Sequence, residues 1–287
     1  MATNLRRVRR ARTIRILRDA LLALPLLLFL VWTLLPLTWS LSASFKPVLE
    51  LYMRPPTLFP REFTWANYQA VFAFPGFPRF FLNSVFLAVG STLMAITVST
   101  LAAYAFARYA FPFRHLLLLS VLVPRIIPRA ALVVPLYGLF ANLGILDTYT
   151  VLLVSYTATA VPLATWILTG FIKGIPLSLE ESARLDGANL FHVLYYIVLP
   201  MAWPGLVTVI VVAAVQSWNE FPFVLSFTND ATMRTLPYQL YLLRDSLGIQ
   251  DWSLINAFSI VTIVPIVTVF LIFQRRVISG LVGGSIK

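Results

Sequence analysis

The stretch ALLALPLLLFLVWTLLPLTWSLSAS, from Ala20 to Ser44, decides the class of fold because it contains no charged side chain. It exceeds the length of about 20 apolar residues that an α-helix needs to cross a bilayer. A transmembrane barrel would instead show segments of about ten residues with alternating polarity. Five further stretches share the length and apolar character of the first: Phe80–Ala107, Leu116–Phe140, Tyr149–Phe171, Met201–Phe227 and Leu254–Phe273. The sequence therefore predicts an all-α polytopic membrane protein with six continuous transmembrane helices.

The composition agrees with a chain embedded in lipid. Of the 287 residues, 59% are hydrophobic and 11% are charged, and the mean hydropathy is +0.85. Soluble domains carry about 25% charged residues, so a soluble enzyme, a disordered chain and a nucleic-acid binder are all disfavoured. Cysteine is absent, which excludes disulfides and thiolate chemistry. The partner that this composition indicates is a lipid membrane, with no nucleic acid.

The net charge of +11 is distributed unevenly between the two sides of the membrane. Fourteen of the 22 Lys and Arg residues fall on the side that holds both termini, six fall on the other, and Arg125 and Arg129 fall within the third stretch. Because cytoplasmic segments carry the excess of Lys and Arg, both termini are predicted to be cytoplasmic. We divide the chain into a basic N-terminal segment (1–19), a six-span domain (20–273) and a cytoplasmic tail (274–287).

The cytoplasmic loop 172–200 contains a strongly patterned sequence, IPLSLEESARLDGAN, at Ile175–Asn189. Ser178 and Glu181 have the spacing of a capping box, in which each side chain satisfies a backbone amide of the other residue. Gly187 suits the left-handed conformation that ends a helix. These residues predict a short helix that lies outside the membrane.

The rest of the loop predicts a second short helix. Asn189 is a suitable N-cap, the helix continues to about Leu199, and Pro200 opens the fifth span. A compact helix–turn–helix with small residues and a charged rim can dock into a groove of another protein. The residues alone leave open whether this loop docks or only folds locally, since capping boxes are common.

The spacing of this loop resembles the EAA loop of ABC importer permeases. The matching positions are Glu181–Ala183, Gly187 after three residues, and Ile197-x-Leu199-Pro200 after nine more. Ser182 departs from the usual alanine. The string EESARLDGA is similar to the version found in carbohydrate importers of the maltose, trehalose and glycerol-phosphate class.

The resemblance implies the fold of an ABC type I importer permease, with the six-span domain as the transmembrane permease domain and loop 172–200 as its coupling loop. It implies an ATPase-coupling role for Glu180, Glu181, Ser182, Ala183, Arg184, Asp186 and Gly187. The implied partners are a second related permease, a homodimeric or heterodimeric cytoplasmic ABC ATPase and an external solute-binding protein. The implied location is the prokaryotic inner membrane.

The energy source is expected to lie on another subunit. The chain contains no G-x-x-x-x-G-K-[ST] phosphate loop, so we expect no ATP site and no bound cofactor on this subunit. ATP and Mg²⁺ are expected on the partner ATPase. The chain is therefore predicted to be a transport subunit and not an enzyme.

A few polar residues within or beside the spans are candidates for the solute pathway, because ionisable groups in a membrane are costly and are usually functional. They are Arg125, Arg129, Tyr137, Asn219 and Glu220. The arginines are four residues apart and share a helix face unless Pro128 breaks the helix. Alternatively, they pair with Glu220 or with a partner's carboxylate, or extend towards an interface.

The resemblance favours one function, that of a permease subunit in an ATP-driven, binding-protein-dependent sugar importer, forming half of the translocation pathway. The first alternative is a permease of the same superfamily for a non-sugar solute, such as glycerol phosphate or an amino acid. An integral membrane enzyme is the second alternative. It is disfavoured because the eleven acidic residues are scattered over both sides of the membrane.

Overall fold

The computed structural model describes the backbone of residues 2–245 and 251–283, and the side chains of residues 21–244 and 251–274. The basic side chains of the N-terminal segment and of the C-terminal tail lie outside these ranges. Every regular element within them is a helix, and the chain divides into two compact units, residues 1–71 with 249–260 and residues 72–248 with 261–287. In chain order the helices are α1 (Ala2–Ser44), α2 (Val48–Leu51), α3 (Ala66–Phe72), α4 (Phe77–Arg108), α5 (Arg114–Leu122), α6 (Arg129–Asn142), α7 (Tyr149–Lys173), α8 (Leu177–Leu185), α9 (Leu190–Val193), α10 (Leu199–Met201), α11 (Trp203–Trp218), α12 (Pro222–Phe227), α13 (Leu236–Asp245) and α14 (Trp252–Gly283).

Four uninterrupted helical segments among the described residues are long and apolar enough to cross a membrane. They are Leu21–Ser44, Phe77–Arg108, Tyr149–Lys173 and Trp252–Gln274. Two further pairs of helices pass the same test together, with a sharp bend between the members. The number of candidate spans reaches six when each bent pair is counted as one span. The prediction of an all-α polytopic protein is confirmed, but the prediction that every span is continuous is wrong.

The third apolar stretch is broken in its middle. Helix α5 continues as a 3₁₀ turn over Val123–Ile126, the chain extends at Ile127 and Pro128, and α6 leaves at an angle of 98°. A residue before proline is forced out of the helical region by the proline ring, and Ile127 accordingly has φ −77° and ψ 126°. Because the bend separates them, Arg125 and Arg129 do not share one helix face.

The fifth stretch is broken at both ends. Pro200 lies in α10 and does not open the span, since an 81° bend separates the Leu190–Met201 segment from α11. Helix α11 begins at Trp203, with Pro204 in its first turn, where a missing N–H costs nothing. It ends at Trp218, and Phe221, with φ −133° and ψ −29°, leaves the helical conformation before the proline that opens α12. The predicted continuous helix Met201–Phe227 is therefore two helices.

Helices α4, α7 and α11 form the centre of the larger unit. Their contact is close because small residues meet there, namely Ala95, Ala160 and Ala213, one on each helix. The hydroxyl of Ser91 on α4 donates a 2.8 Å hydrogen bond to the Ser217 hydroxyl on α11. Small side chains and hydroxyl bonds are the usual means by which helices associate in a bilayer.

The smaller unit contains a folded segment after α1 that is organised around one buried carboxylate. Glu50 accepts hydrogen bonds from the Thr57 hydroxyl at 2.8 Å and from the backbone N–H groups of Arg61 at 2.9 Å and Glu62 at 3.4 Å. Burial raises the pKa of Glu50, but these bonds and the charge of Lys46 outweigh it, so the pKa lies below its usual value. The carboxylate is thus held ionised by the loop that it organises.

Candidate functional site

The loop helix α8 begins differently from the prediction. Pro176, with φ −57° and ψ 128°, occupies the N-cap position, and the described residues supply no side-chain cap to α8. Ser178 therefore lies inside the first turn, where its hydroxyl cannot accept the N–H of the third helical residue. The predicted capping box of Ser178 and Glu181 is wrong, because the helix starts two residues too early for it, with Pro176 at the N-cap position.

The carboxylate of Glu180 is buried against the end of α4. It accepts a hydrogen bond from the Tyr104 hydroxyl at 2.9 Å and an ion-paired bond from Arg108 Nε at 2.6 Å. Arg108 also donates to the carbonyl of Ile175 at 3.0 Å, and Arg184 donates to the Tyr104 hydroxyl at 3.0 Å. The side chains of Glu180 and Arg108 are 1% and 9% exposed. This set, the Glu180 network, fixes α8 to α4.

The opposite side of α8 is exposed and partly apolar. Leu185 is 89% exposed, and Leu177 and Leu179 are also exposed. Exposed large apolar side chains outside the hydrocarbon region mark a surface that a partner covers. Five of the seven residues assigned to ATPase coupling are exposed on or beside this helix: Glu181, Ser182, Arg184, Asp186 and Gly187.

The turn after α8 follows the predicted pattern. Gly187 has a φ of +89°, and the N–H of Ala188 donates to the carbonyl of Ala183 at 2.9 Å, as in a Schellman helix end. Asn189 caps α9 through a 3.0 Å bond from the N–H of His192. Ala183 and Ala188 pack against the same apolar cluster as the ends of α4 and α7. The predicted helix–turn–helix is therefore present and is rigidly seated.

A second charged pair joins the bend after α5 to the end of α11. Arg129 Nη1 donates to Glu220 Oε2 at 2.6 Å, and the side chains are 37% and 3% exposed. The other Glu220 oxygen accepts the N–H of Phe223 at 3.1 Å, and the Glu220 carbonyl accepts the hydroxyl of Tyr156 at 3.4 Å. Arg129 thus forms the pairing with Glu220 that the sequence offers as the alternative to a pathway role.

Arg125 lies in different surroundings. It is exposed, makes no ion pair within the described side chains, and lines a cavity of about 330 Å³ between α6 and α7. Ser155 and Thr159 on α7 also line this cavity. Tyr137 and Asn219 do not line it. Both are exposed, and the Asn219 side-chain amide donates to its own helix at Val215.

Several residues of these sites carry no recognisable signal in the sequence. Tyr104 and Arg108 have the i, i+4 spacing that places two side chains on one helix face, but their partner Glu180 lies more than 70 residues away. Ser155 and Thr159 are ordinary hydroxyl residues within an apolar span, where most such groups bond to their own helix.

The geometry defines a class of protein, a polytopic helical membrane protein with an anchored helical loop between two of its spans. Comparison with known families then identifies it. A family described as "Binding-protein-dependent transport system inner membrane component" matches residues 95–282, and the chain belongs to this family. It is an ABC importer permease subunit, as the resemblance of the EAA loop implies.

Characterised relatives align over nearly the whole chain. The sulfoquinovosyl glycerol transport system permease protein of Agrobacterium fabrum is 36% identical over 91% of this chain and 91% of its own length. The trehalose transport system permease protein of Mycobacterium tuberculosis is 33% identical, over 89% and 93%. The trehalose/maltose transport system permease protein of Thermococcus litoralis is 33% identical, over 95% and 98%.

A solved structure confirms the fold. A chain of a bacterial ABC transporter involved in the import of the acidic polysaccharide alginate superposes with a TM-score of 0.80. The match covers 90% of this chain and 95% of that chain at 19% identity, so it bears on the fold alone. The predicted importer permease fold is confirmed.

Proposed function

We propose that this chain is one of two permease subunits of an ATP-driven sugar importer and forms half of its translocation pathway. The relatives named above carry sulfoquinovosyl glycerol, trehalose or maltose, which supports a sugar or a sugar derivative over an amino acid or glycerol phosphate. An external binding protein delivers the solute. A second, related permease completes the pathway, and a dimeric cytoplasmic ATPase holds ATP and Mg²⁺.

The exposed face of α8 is the observation that supports coupling to an ATPase most directly. Leu185 and the acidic residues Glu181 and Asp186 project from a helix whose other side is fixed by the Glu180 network. An apolar residue ringed by charges on a rigid helix is suited to a groove in a soluble partner. Since the helix is fixed to α4, a displacement of the ATPase is passed on to a span.

Within the coupling loop, the seven residues assigned to ATPase coupling divide into two roles. Glu180 has almost no exposed surface and Ala183 is half-buried, so we assign both to positioning the loop. Glu181, Ser182, Arg184, Asp186 and Gly187 form the docking surface together with Leu185. Arg184 serves both roles, because its guanidinium reaches Tyr104 while the residue stays exposed.

The pathway candidates also divide. Arg125 faces a cavity, whereas Arg129 and Glu220 neutralise each other and fix the start of α12. Tyr137 and Asn219 are exposed, which leaves them available to solute or to the second permease. The excess of Lys and Arg on the side that holds both termini supports a cytoplasmic location for them.

Co-purification with the ATPase tests the coupling role. Deletion of residues 180–187, or the single change Leu185→Asp, should abolish recovery of the ATPase with the permease pair while membrane insertion persists. Leu49→Asp, at an exposed position of α2, is a matched control that should leave recovery unchanged. Full recovery and full solute-stimulated ATP hydrolysis in Leu185→Asp would contradict the docking role of α8.

A further inference from the structure

The cavity beside Arg125 combines a charged side chain, hydroxyl groups and an apolar wall. Its volume of about 330 Å³ lies within the range of about 300–1,000 Å³ that is typical of ligand cavities. Arg125 is the only charged residue among the described residues that line it, and Ser155 and Thr159 supply hydroxyl groups. The remaining wall is apolar, from side chains such as Phe140, Pro162 and Phe223. Such a wall suits the C–H faces of a sugar ring.

The positive charge in this cavity is not cancelled within the described part of the chain. Glu220 contacts the bend through Arg129, and its carboxylate is already occupied by Arg129 at 2.6 Å and by the N–H of Phe223 at 3.1 Å. Arg125 lies on the other side of the bend at Pro128 and has no such partner among the described residues. The two arginines are only four positions apart in the sequence, but the charge of Arg129 is compensated by Glu220 and that of Arg125 has no partner among the described residues.

An uncompensated arginine in an apolar stretch is costly, and such residues face a water-filled cavity or a counter-charge. The hydroxyl of Ser155 adds a second unsatisfied group. Ser155 is 2% exposed, and its Oγ has no hydrogen-bond partner among the described residues. The Thr159 hydroxyl is already used, since it donates to the Tyr156 carbonyl and accepts from Gln216. Within the described part of the chain, the cavity wall thus contains one unpaired cation and one unpaired, buried hydroxyl.

We infer that this cavity binds a sugar that carries an oxyanion, with Arg125 paired to the anionic group and Ser155 donating to a neighbouring oxygen. A guanidinium presents two parallel N–H groups to a carboxylate, sulfonate or phosphate, and such charge-assisted bonds are about twice as strong as neutral ones. This inference rests on the proposed sugar-importer function and narrows it to acidic sugars. Arg129 and Glu220 support the cavity wall through Phe223 and do not touch the solute.

The test uses the whole importer in proteoliposomes, with its second permease, ATPase and binding protein. The probes are trehalose and maltose. Each neutral sugar is compared with its C6-carboxylate derivative and with its C6-sulfonate derivative, which differ from it in charge. ATP hydrolysis should be stimulated at lower concentration by the acidic member. Arg125→Gln should raise the half-maximal concentration of the acidic sugar about 10- to 100-fold and leave the neutral sugar unchanged.

Three variants accompany this measurement. Arg125→Lys keeps the charge and should restore most of the response, and Ser155→Ala should raise the half-maximal concentration several-fold. Arg114→Gln is the matched control, because Arg114 begins α5 and does not line this cavity. Its response should equal that of the unaltered importer.

The failures of the two proposals can be told apart. If neutral sugars stimulate as well as acidic ones and Arg125→Gln changes neither, the inference is overturned while sugar import stands. If no probe of either charge stimulates an assembled complex, the sugar function itself is overturned. If Arg125→Gln separates the two permeases while Ser155→Ala leaves the response to acidic sugars unaltered, Arg125 is an interface residue and the inference is again overturned.

Discussion

Glu180 on the loop helix α8 accepts a 2.6 Å ion-paired hydrogen bond from Arg108 at the end of α4, where the Glu180 side chain is buried and that of Arg108 is 9% exposed. The loop is therefore not a flexible tether between two spans. Its position is set by a span that belongs to the central α4–α7–α11 contact. Any motion imposed on α8 acts directly on that contact, which is the mechanical property that a coupling element needs.

Glu180→Gln should loosen the loop without altering its exposed face. Removing one partner of a buried ion pair leaves the other charge uncompensated, at a cost of about 3 kcal/mol. We expect amide hydrogen exchange in residues 177–190 to accelerate and the amount of solute imported per ATP to fall. Co-purification with the ATPase should be largely retained.

Glu181→Gln is the matched control for that change, since the neighbouring carboxylate is exposed. It should leave amide exchange unaltered and weaken recovery of the ATPase. If the two variants give the same exchange and recovery, the division of the loop into a positioning face and a docking face is wrong.

The pair of Arg129 and Glu220 should stabilise the bend after α5 more weakly than the Glu180 network stabilises α8. Arg129 is 37% exposed, so solvent screens its charge, and we expect a coupling energy of about 1 kcal/mol. A double-mutant cycle of Arg129→Gln and Glu220→Gln, followed by thermal unfolding in lipid nanodiscs, measures this quantity. Strictly additive effects of the two changes would show that the contact contributes nothing.

The sequence predicts where the apolar helices lie because the bilayer imposes a minimum length on every span. It does not predict which prolines break them. Pro162 and Pro265 lie inside uninterrupted helices, whereas Pro128 separates two helices at 98°. A proline frees the same backbone groups in each case, and tertiary packing decides whether neighbouring groups satisfy them. That packing is not visible in a local pattern.

The loop shows the same division between local and distant information. The helix end at Gly187 and the cap at Asn189 are confirmed because each depends on residues within a few positions. The start of α8 is predicted wrongly, and the role of Glu180 is missed. The start of α8 depends on Pro176, which occupies the N-cap position, and the role of Glu180 depends on Arg108, which only the folded chain brings close. Residue type and spacing therefore identify the element but not its anchoring.

The segment organised by Glu50 should lose stability in acid. Its pKa is lowered in the folded chain, so the unfolded segment binds a proton more readily. The stabilisation is complete above the ordinary value of 4.5 and is lost as the pH falls through the lowered value. Amide exchange at Arg61 and Glu62, corrected for intrinsic rates, should accelerate across that range. In Glu50→Gln it should be fast at all pH values, at a cost of about 2 kcal/mol.

Gly187→Ala tests whether the turn after α8 depends on its left-handed backbone. A Cβ at this position meets no atom within 4 Å, so any effect comes from the φ of +89° and not from a clash. The strain should destabilise the turn by about 1–2 kcal/mol and increase amide exchange in α8. Gly170→Ala is the matched control, since it also has open space but lies inside α7, where alanine is favoured by up to about 1 kcal/mol. If both variants exchange as slowly as the unaltered protein, the turn does not depend on the left-handed backbone at Gly187. If only Gly187→Ala exchanges faster and also loses ATPase recovery, the docking surface requires the turn.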